Sequence, residues 1–155
     1  MQQFRSIAKT YRKLCIREAE LTQEIEAEQY RLEGVRGLDP AREPSHQGCA
    51  DNNRFYELME YRDSKIQERE TVRQQLQWIR SVVMDCDVDE RPYVWLVLLC
   101  QVPVGKAAKM LDIPWETLSR KISSALEKVV TEEKLEQYQN IAIRGSNSDQ
   151  GFSEL

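Results

Sequence analysis

Apolar residues fall at Phe4, Ile7, Tyr11, Leu14, Leu21, Ile25, Leu32 and Val35, three and four apart, with Glu18 and Glu28 filling the gaps. That spacing keeps one stripe along a helix. Sustained over more than four heptads with no Gly or Pro before Gly34, it predicts a single long helix with a coiled-coil seam. The segment 37–50, GLDPAREPSHQGCA, carries two Pro and two Gly and reads as a loop. Asp51 or Asn52 can cap a second helix over about 53–85. Its stripe is Phe55, Leu58, Val72, Leu76, Ile79 and Val83, with Arg62, Lys65 and Arg69 in the middle.

Two helices joined by a short loop pack most simply as antiparallel neighbours. One register aligns Ile7 with Val83, Tyr11 with Ile79, Leu14 with Leu76, Leu32 with Leu58 and Val35 with Phe55. The same register sets Glu28 beside Arg62, and Glu18 opposite Val72 with Arg69 and Arg73 within a turn. Polar residues in one seam thus meet opposite charge in the other, which fixes register more than it stabilises. Two other arrangements stay open: Arg62 and Arg69 pointing to water, and a seam formed between two chains.

After Asp85 the run DCDVDERPY supplies turn residues, and Pro92 suits a helix first turn. The nearly all-apolar Tyr93–Cys100 reads as a core helix ended by Pro103, followed by short helices over about 104–111 and 115–130. The pattern can extend to Tyr138. The remainder, 139–155, has turn-formers and no periodicity, and disorder is expected there. The fold class is therefore all-α: a long antiparallel coiled-coil hairpin over 1–86, then a small helix-turn-helix domain over 87–138.

Within 104–128, Ala107 and Ala108 allow close helix approach, and Leu111 and Ile113 bracket a tight turn at Asp112, a residue type that tolerates the left-handed conformation. Pro114 suits helix entry, and Glu116 complements the positive helix end. Leu118, Ile122, Ala125 and Leu126 form the inward stripe of the second helix. Trp115, Glu116, Ser119, Arg120 and Ser123 are expected on its other face near the leading end, where a recognition helix presents side chains to the major groove.

Charge qualifies this picture. The chain is net −4 over 155 residues, whereas phosphate contacts need cations on one face. The acid excess, however, lies largely in 51–92. Over 104–128, Lys106, Lys109, Arg120, Lys121 and Lys128 outnumber Asp112, Glu116 and Glu127.

These residues resemble the helix-turn-helix of sigma-factor region four and its relatives, including LuxR-type regulators. The matching residues are Lys106-Ala107-Ala108, Leu111-Asp112-Ile113, Thr117-Leu118-Ser119-Arg120 and Ala125-Leu126-Glu127-Lys128. Pro114 replaces the usual Ser or Thr cap, Asp112 replaces Gly, and Lys106 replaces an apolar residue. The whole layout, a hairpin with a Gly/Pro/Ser loop followed by this unit, is similar to RinA/ArpU-type phage and prophage regulators. That resemblance implies double-stranded DNA as partner, late-type phage genes as target and host RNA polymerase as a further candidate partner. It also implies roles: Trp115, Glu116, Ser119 and Arg120 toward bases, with Arg120 the guanine reader, and Lys106, Lys109, Lys121 and Ser123 toward phosphates. Alternatives remain for two of them: Trp115 packing on the preceding helix, and Arg120 pairing with Glu116. Trp78 and Trp95 read as packing residues.

An enzyme is not expected. There is one histidine, His46, in the loop, and no nucleophile–base arrangement that spacing brings together. Cys15, Cys49, Cys86 and Cys100 are too scattered for a zinc site, so neither metal nor cofactor is expected. No apolar run approaches the roughly 20 residues of a membrane span, and MQQFRSIAKTYRK lacks a signal-peptide core. A reduced, cytoplasmic, nucleoid-associated protein is expected. The rival reading is a non-DNA-binding adaptor whose acidic coiled coil binds RNA polymerase or another regulator. Because one small helix-turn-helix makes few contacts, a homodimer through 4–85 is predicted.

Overall fold

The computed structural model describes residues 2–36 and 48–153, with side chains at 2–34 and 53–145. The loop expected at 37–50, with His46 and Cys49, lies outside the described side chains, as does the side chain of Val35. Helix is the regular structure of the described residues, with no strand among them. The helices are α1 (Gln2–Lys9), α2 (Tyr11–Arg36), α3 (Gly48–Asp85), α4 (Arg91–Val94), α5 (Val104–Leu111), α6 (Trp115–Val129) and α7 (Glu132–Ser153). A π-helical stretch, Trp95–Leu99, continues α4.

The long first helix expected from Phe4 to Val35 is divided at Thr10. Its hydroxyl donates to the Ile7 carbonyl, a local bond that competes with the helical ladder. Leu14 N–H donates to the Thr10 carbonyl at 2.9 Å, so α2 starts directly after the break. The second helix begins earlier than expected: Gly48–Ala50 open α3 rather than closing a loop.

Helices α2 and α3 lie side by side and antiparallel. Contacts advance along α2 as they retreat along α3: Tyr11 with Arg80 (3.0 Å), Glu18 with Arg73 (3.1 Å), Glu24 with Lys65 (3.5 Å) and Gln29 with Arg62 (3.3 Å). Between these flanking pairs Leu21, Ile25 and Leu32 of α2 and Val72, Leu76 and Ile79 of α3 are buried. Each such side chain contributes about 1.5–3 kcal/mol on burial, against about 1 kcal/mol at most for an exposed ion pair. The apolar seam therefore holds the two helices together, and the charged flanks set which residues face each other.

Beyond Asp85 the chain folds back on the end of this pair. Pro92 sits in the first turn of α4, and Arg91 donates to the carbonyls of Cys86 (3.0 Å) and Met84 (2.7 Å), closing the bend. Val97, Leu98 and Leu99 are all buried. Three consecutive positions sweep about half of a helix circumference, so the π-helical stretch is covered on more than one side, with α1 and α5 against it. Trp95 is the exception in this apolar run: it is 39% exposed and meets Tyr11 edge-on at 5.8 Å. One contiguous buried cluster runs from Leu21, Leu76 and Ile79 through Phe4 and Val94 to Ala107, Leu118 and Leu126.

Over 139–153, where disorder is expected, the described backbone is helical. Helix α7 continues to Ser153 and packs against α3, with Leu135, Tyr138 and Ile141 on the core and Lys134 joined to Asp85. Gly145 marks a close approach to α3, since a Cβ there would lie 2.6 Å from Thr71 Cγ2. Packing on α3 overrides the turn propensity of the tail.

Candidate nucleic-acid interface

Helices α5 and α6 form a two-helix unit joined by Asp112–Pro114. Asp112 takes the left-handed conformation (φ 55°, ψ 45°), and Ile113 N–H donates to the Ala108 carbonyl at 3.1 Å. That six-to-one bond is a Schellman ending, normally built on glycine. Asp is among the few other residue types that visit this region readily. Pro103 and Pro114 each stand at the N-cap, where no N–H is required, and their carbonyls accept the first helical bonds from Ala107 (2.9 Å) and Leu118 (3.0 Å). Ala107 and Ala108 are buried where the helices meet, and Leu118, Ile122, Ala125 and Leu126 bury the inner face of α6.

The leading end of α6 faces outward. Trp115 is 60% exposed and borders an open hollow of about 480 Å³ with Ala108, Lys109, Asp112 and Pro114, so it rests at the rim of α5 rather than beneath it. Glu116, Arg120, Lys106 and Lys109 are exposed. Arg120 does not pair with Glu116, nor with any carboxylate among the described residues. Lys121 is exposed and lies over the Tyr93 ring at 5.4 Å, which holds its ammonium at the surface beside α4.

Ser119 and Ser123 depart from the expected outer face. Both are half-buried on the flank of α6, four residues apart and therefore one above the other. Ser123 accepts a hydrogen bond from Arg5 Nη2 at 3.3 Å. Its hydroxyl thus touches α1. Arg5 itself escaped the sequence reading, because it sits between the apolar positions of a stripe. The signal that could have found it is the acid-free basic run around it.

The interhelical pairs need correction too. Glu28 does not reach Arg62: it pairs with Arg31 one turn along its own helix at 2.9 Å, while Arg62 bonds Gln29 and approaches Asp63. Glu28 is 6% exposed, and among the described residues its Oε2 has no hydrogen-bond partner; neither has Arg62 Nε. Glu18 pairs with Arg73 rather than Arg69, the neighbour one turn further along α3. Arg17, unassigned by the sequence reading, bonds Glu68 at 2.8 and 2.9 Å and approaches Glu20 and Glu24. Its hydrogen bond to Glu68 raises its pKa.

Where α1 and α2 meet, Arg80 Nε donates to the Tyr11 hydroxyl. Burial pushes the Tyr11 pKa up against that bond, and the bond raises that of Arg80. Among the described residues no group of His, Cys, Asp and Glu is arranged to hold a metal ion. No helix among them is long and apolar enough to cross a membrane. No family model, curated protein or solved structure matches this chain.

Proposed function

We propose that this chain is a sequence-specific, double-stranded-DNA-binding transcription regulator, with α5 and α6 as its helix-turn-helix and the first turns of α6 as the part that enters the major groove. One observation carries the reading. The ion pairs among the described residues lie on α2 and α3, with one more from α7 to α3. Lys106, Lys109, Arg120 and Lys121 have no carboxylate partner there and are exposed on α5 and α6. Exposed cations left unneutralised on this helix pair, in a chain of net charge −4, suit a phosphate backbone. Arg120 fits the guanine-reading role, with Trp115 and Glu116 beside it. Lys106, Lys109 and Lys121 fit phosphate contacts that set orientation.

The antiparallel α2–α3 pair serves in this reading as a coiled-coil arm, and two chains joined through it would present two reading helices to two half-sites. The likeness to RinA/ArpU-type regulators extends the proposal to a phage or prophage protein acting on late-type genes through host RNA polymerase.

A second reading has its own support: Met110 and Trp115, 62% and 60% exposed, place apolar surface beside the α5–α6 turn, as a protein-binding adaptor would. Titrating duplex binding against salt separates the two. A DNA reader loses affinity steeply as salt rises, by roughly 0.9 in log–log slope per phosphate neutralised. Absence of duplex binding at 50 mM salt or thereabouts would favour the adaptor.

A further inference from the structure

The first seventeen residues hold Arg5, Lys9, Arg12, Lys13 and Arg17 and no Asp or Glu. Arg17 is neutralised by Glu68, Glu20 and Glu24. The other four behave differently. Arg5 and Lys9 lie four apart on α1, one above the other, and Arg12 and Lys13 are adjacent in the first turn of α2. Phe4 and Ala8 of α1 and Tyr11 of α2 are buried. Thr10 alone separates the two helices, so the four cations stand on either side of one short break. Lys9, Arg12 and Lys13 are exposed and pair with no carboxylate among the described residues.

This face adjoins the proposed reading unit. Arg5 touches the flank of α6 through the Ser123 hydroxyl. Arg5 and Lys9 also line an open groove of about 300 Å³ whose far wall is Gln101, Pro103 and Val104, the approach to α5. Solvated helix faces in this protein mix both signs, as α2 and α3 do; here the acids are missing.

We propose that the basic face of α1 and early α2 is a second contact with the duplex, gripping phosphates that flank the base pairs read by α6. The inference rests on the DNA-binding reading above. Arg5 and Lys9 stand about 6 Å apart along α1, roughly the axial distance between every second phosphate of one strand. The contact is sequence-independent: it adds affinity and orientation, while α6 supplies base preference. It also supplies cations that 104–128, with five basic residues against three acidic, provides only weakly.

The test compares the full chain with the triple variant Lys9→Gln/Arg12→Gln/Lys13→Gln, and with Arg120→Ala, on one duplex across a salt series. All three changed side chains of the triple variant are exposed, and an unchanged helical circular dichroism spectrum verifies folding. The expected result is a log–log salt slope shallower by about 2 to 3 in the triple variant, with base preference intact. If the wild type binds, Arg120→Ala loses preference and the triple variant keeps the full slope, the basic face does not touch DNA and this inference falls alone. If the wild type binds no duplex at any salt, both fall together.

Discussion

The indole of Trp78 on α3 and the phenol ring of Tyr138 on α7 lie 4.8 Å apart, tilted by 48°. Phe4 of α1 meets the same indole at 6.0 Å. Three helices distant in sequence are thus pinned by one aromatic cluster, and Trp78 is 7% exposed at its centre. Trp78→Ala should lower unfolding free energy by about 3–5 kcal/mol. A double-mutant cycle with Tyr138→Ala should yield about 0.5–1.5 kcal/mol of coupling. Urea denaturation followed by circular dichroism measures both, and additive losses would show that α7 does not lean on this ring.

Burial at the same end of the molecule predicts a pH response. The Cys86 thiol is pushed up from its ordinary 9.0 first by burial and then by Glu90 and Asp85. The phenols of Tyr11 and Tyr138 are raised from 10.0, each chiefly by burial. A group that holds its proton more tightly when folded contributes stability that is complete below its unfolded pKa and lost as pH rises through the folded one. The urea midpoint should hold level up to the ordinary thiol value of 9.0 and decline above it. In Cys86→Ala the decline should start later, toward the tyrosines' 10.0. A midpoint that rises with alkaline pH would contradict these shifts.

Glu28 is a buried carboxylate whose one ion-pair partner among the described residues, Arg31, is itself largely exposed. Replacing it with leucine removes an unsatisfied oxygen without stranding a buried cation on Arg31. Glu28→Leu should therefore raise stability, by on the order of 1 kcal/mol, by extending the apolar seam between Ile25 and Leu32. The cost falls on register, since a uniform seam slips more easily. A higher urea midpoint is the expected outcome, and a lower one would show that Glu28 has a partner in solution.

Asp112 holds a left-handed conformation that glycine adopts without steric penalty. Asp112→Gly should stabilise the α5–α6 unit by up to about 1 kcal/mol, and Asp112→Val, β-branched, should destabilise it by more. Neither should alter base preference, because the residue supports the turn. Thermal melts and duplex binding of the two variants check both halves of this prediction.

The α5–α6 unit was legible from sequence because its ends are chemically marked. Pro103, Asp112 and Pro114 each restrict the backbone where a helix starts or stops, and Leu118, Ile122, Ala125 and Leu126 keep a strict helical spacing. The antiparallel seam was legible for the same reason of period. Individual charge partners were not. Arg69 and Arg73 lie one turn apart, both within reach of Glu18, so spacing alone leaves the choice between them open. Helix α7 was hidden because Gly145 and its polar neighbours read as turn-formers, whereas the glycine serves close packing on Thr71. Arg5 was hidden because its contact with Ser123 spans 118 positions, beyond any local pattern.

Selection of bound duplexes from a random pool, run in parallel with wild type and Arg120→Ala, tests the assignment of α6 most directly. Enrichment of a consensus by the wild type is expected. Loss of preference at one guanine in the variant, at about 1–3 kcal/mol, should accompany it. A wild-type pool that stays unenriched, or an identical consensus from both proteins, would contradict the reading of α6 as the helix that recognises DNA through Arg120.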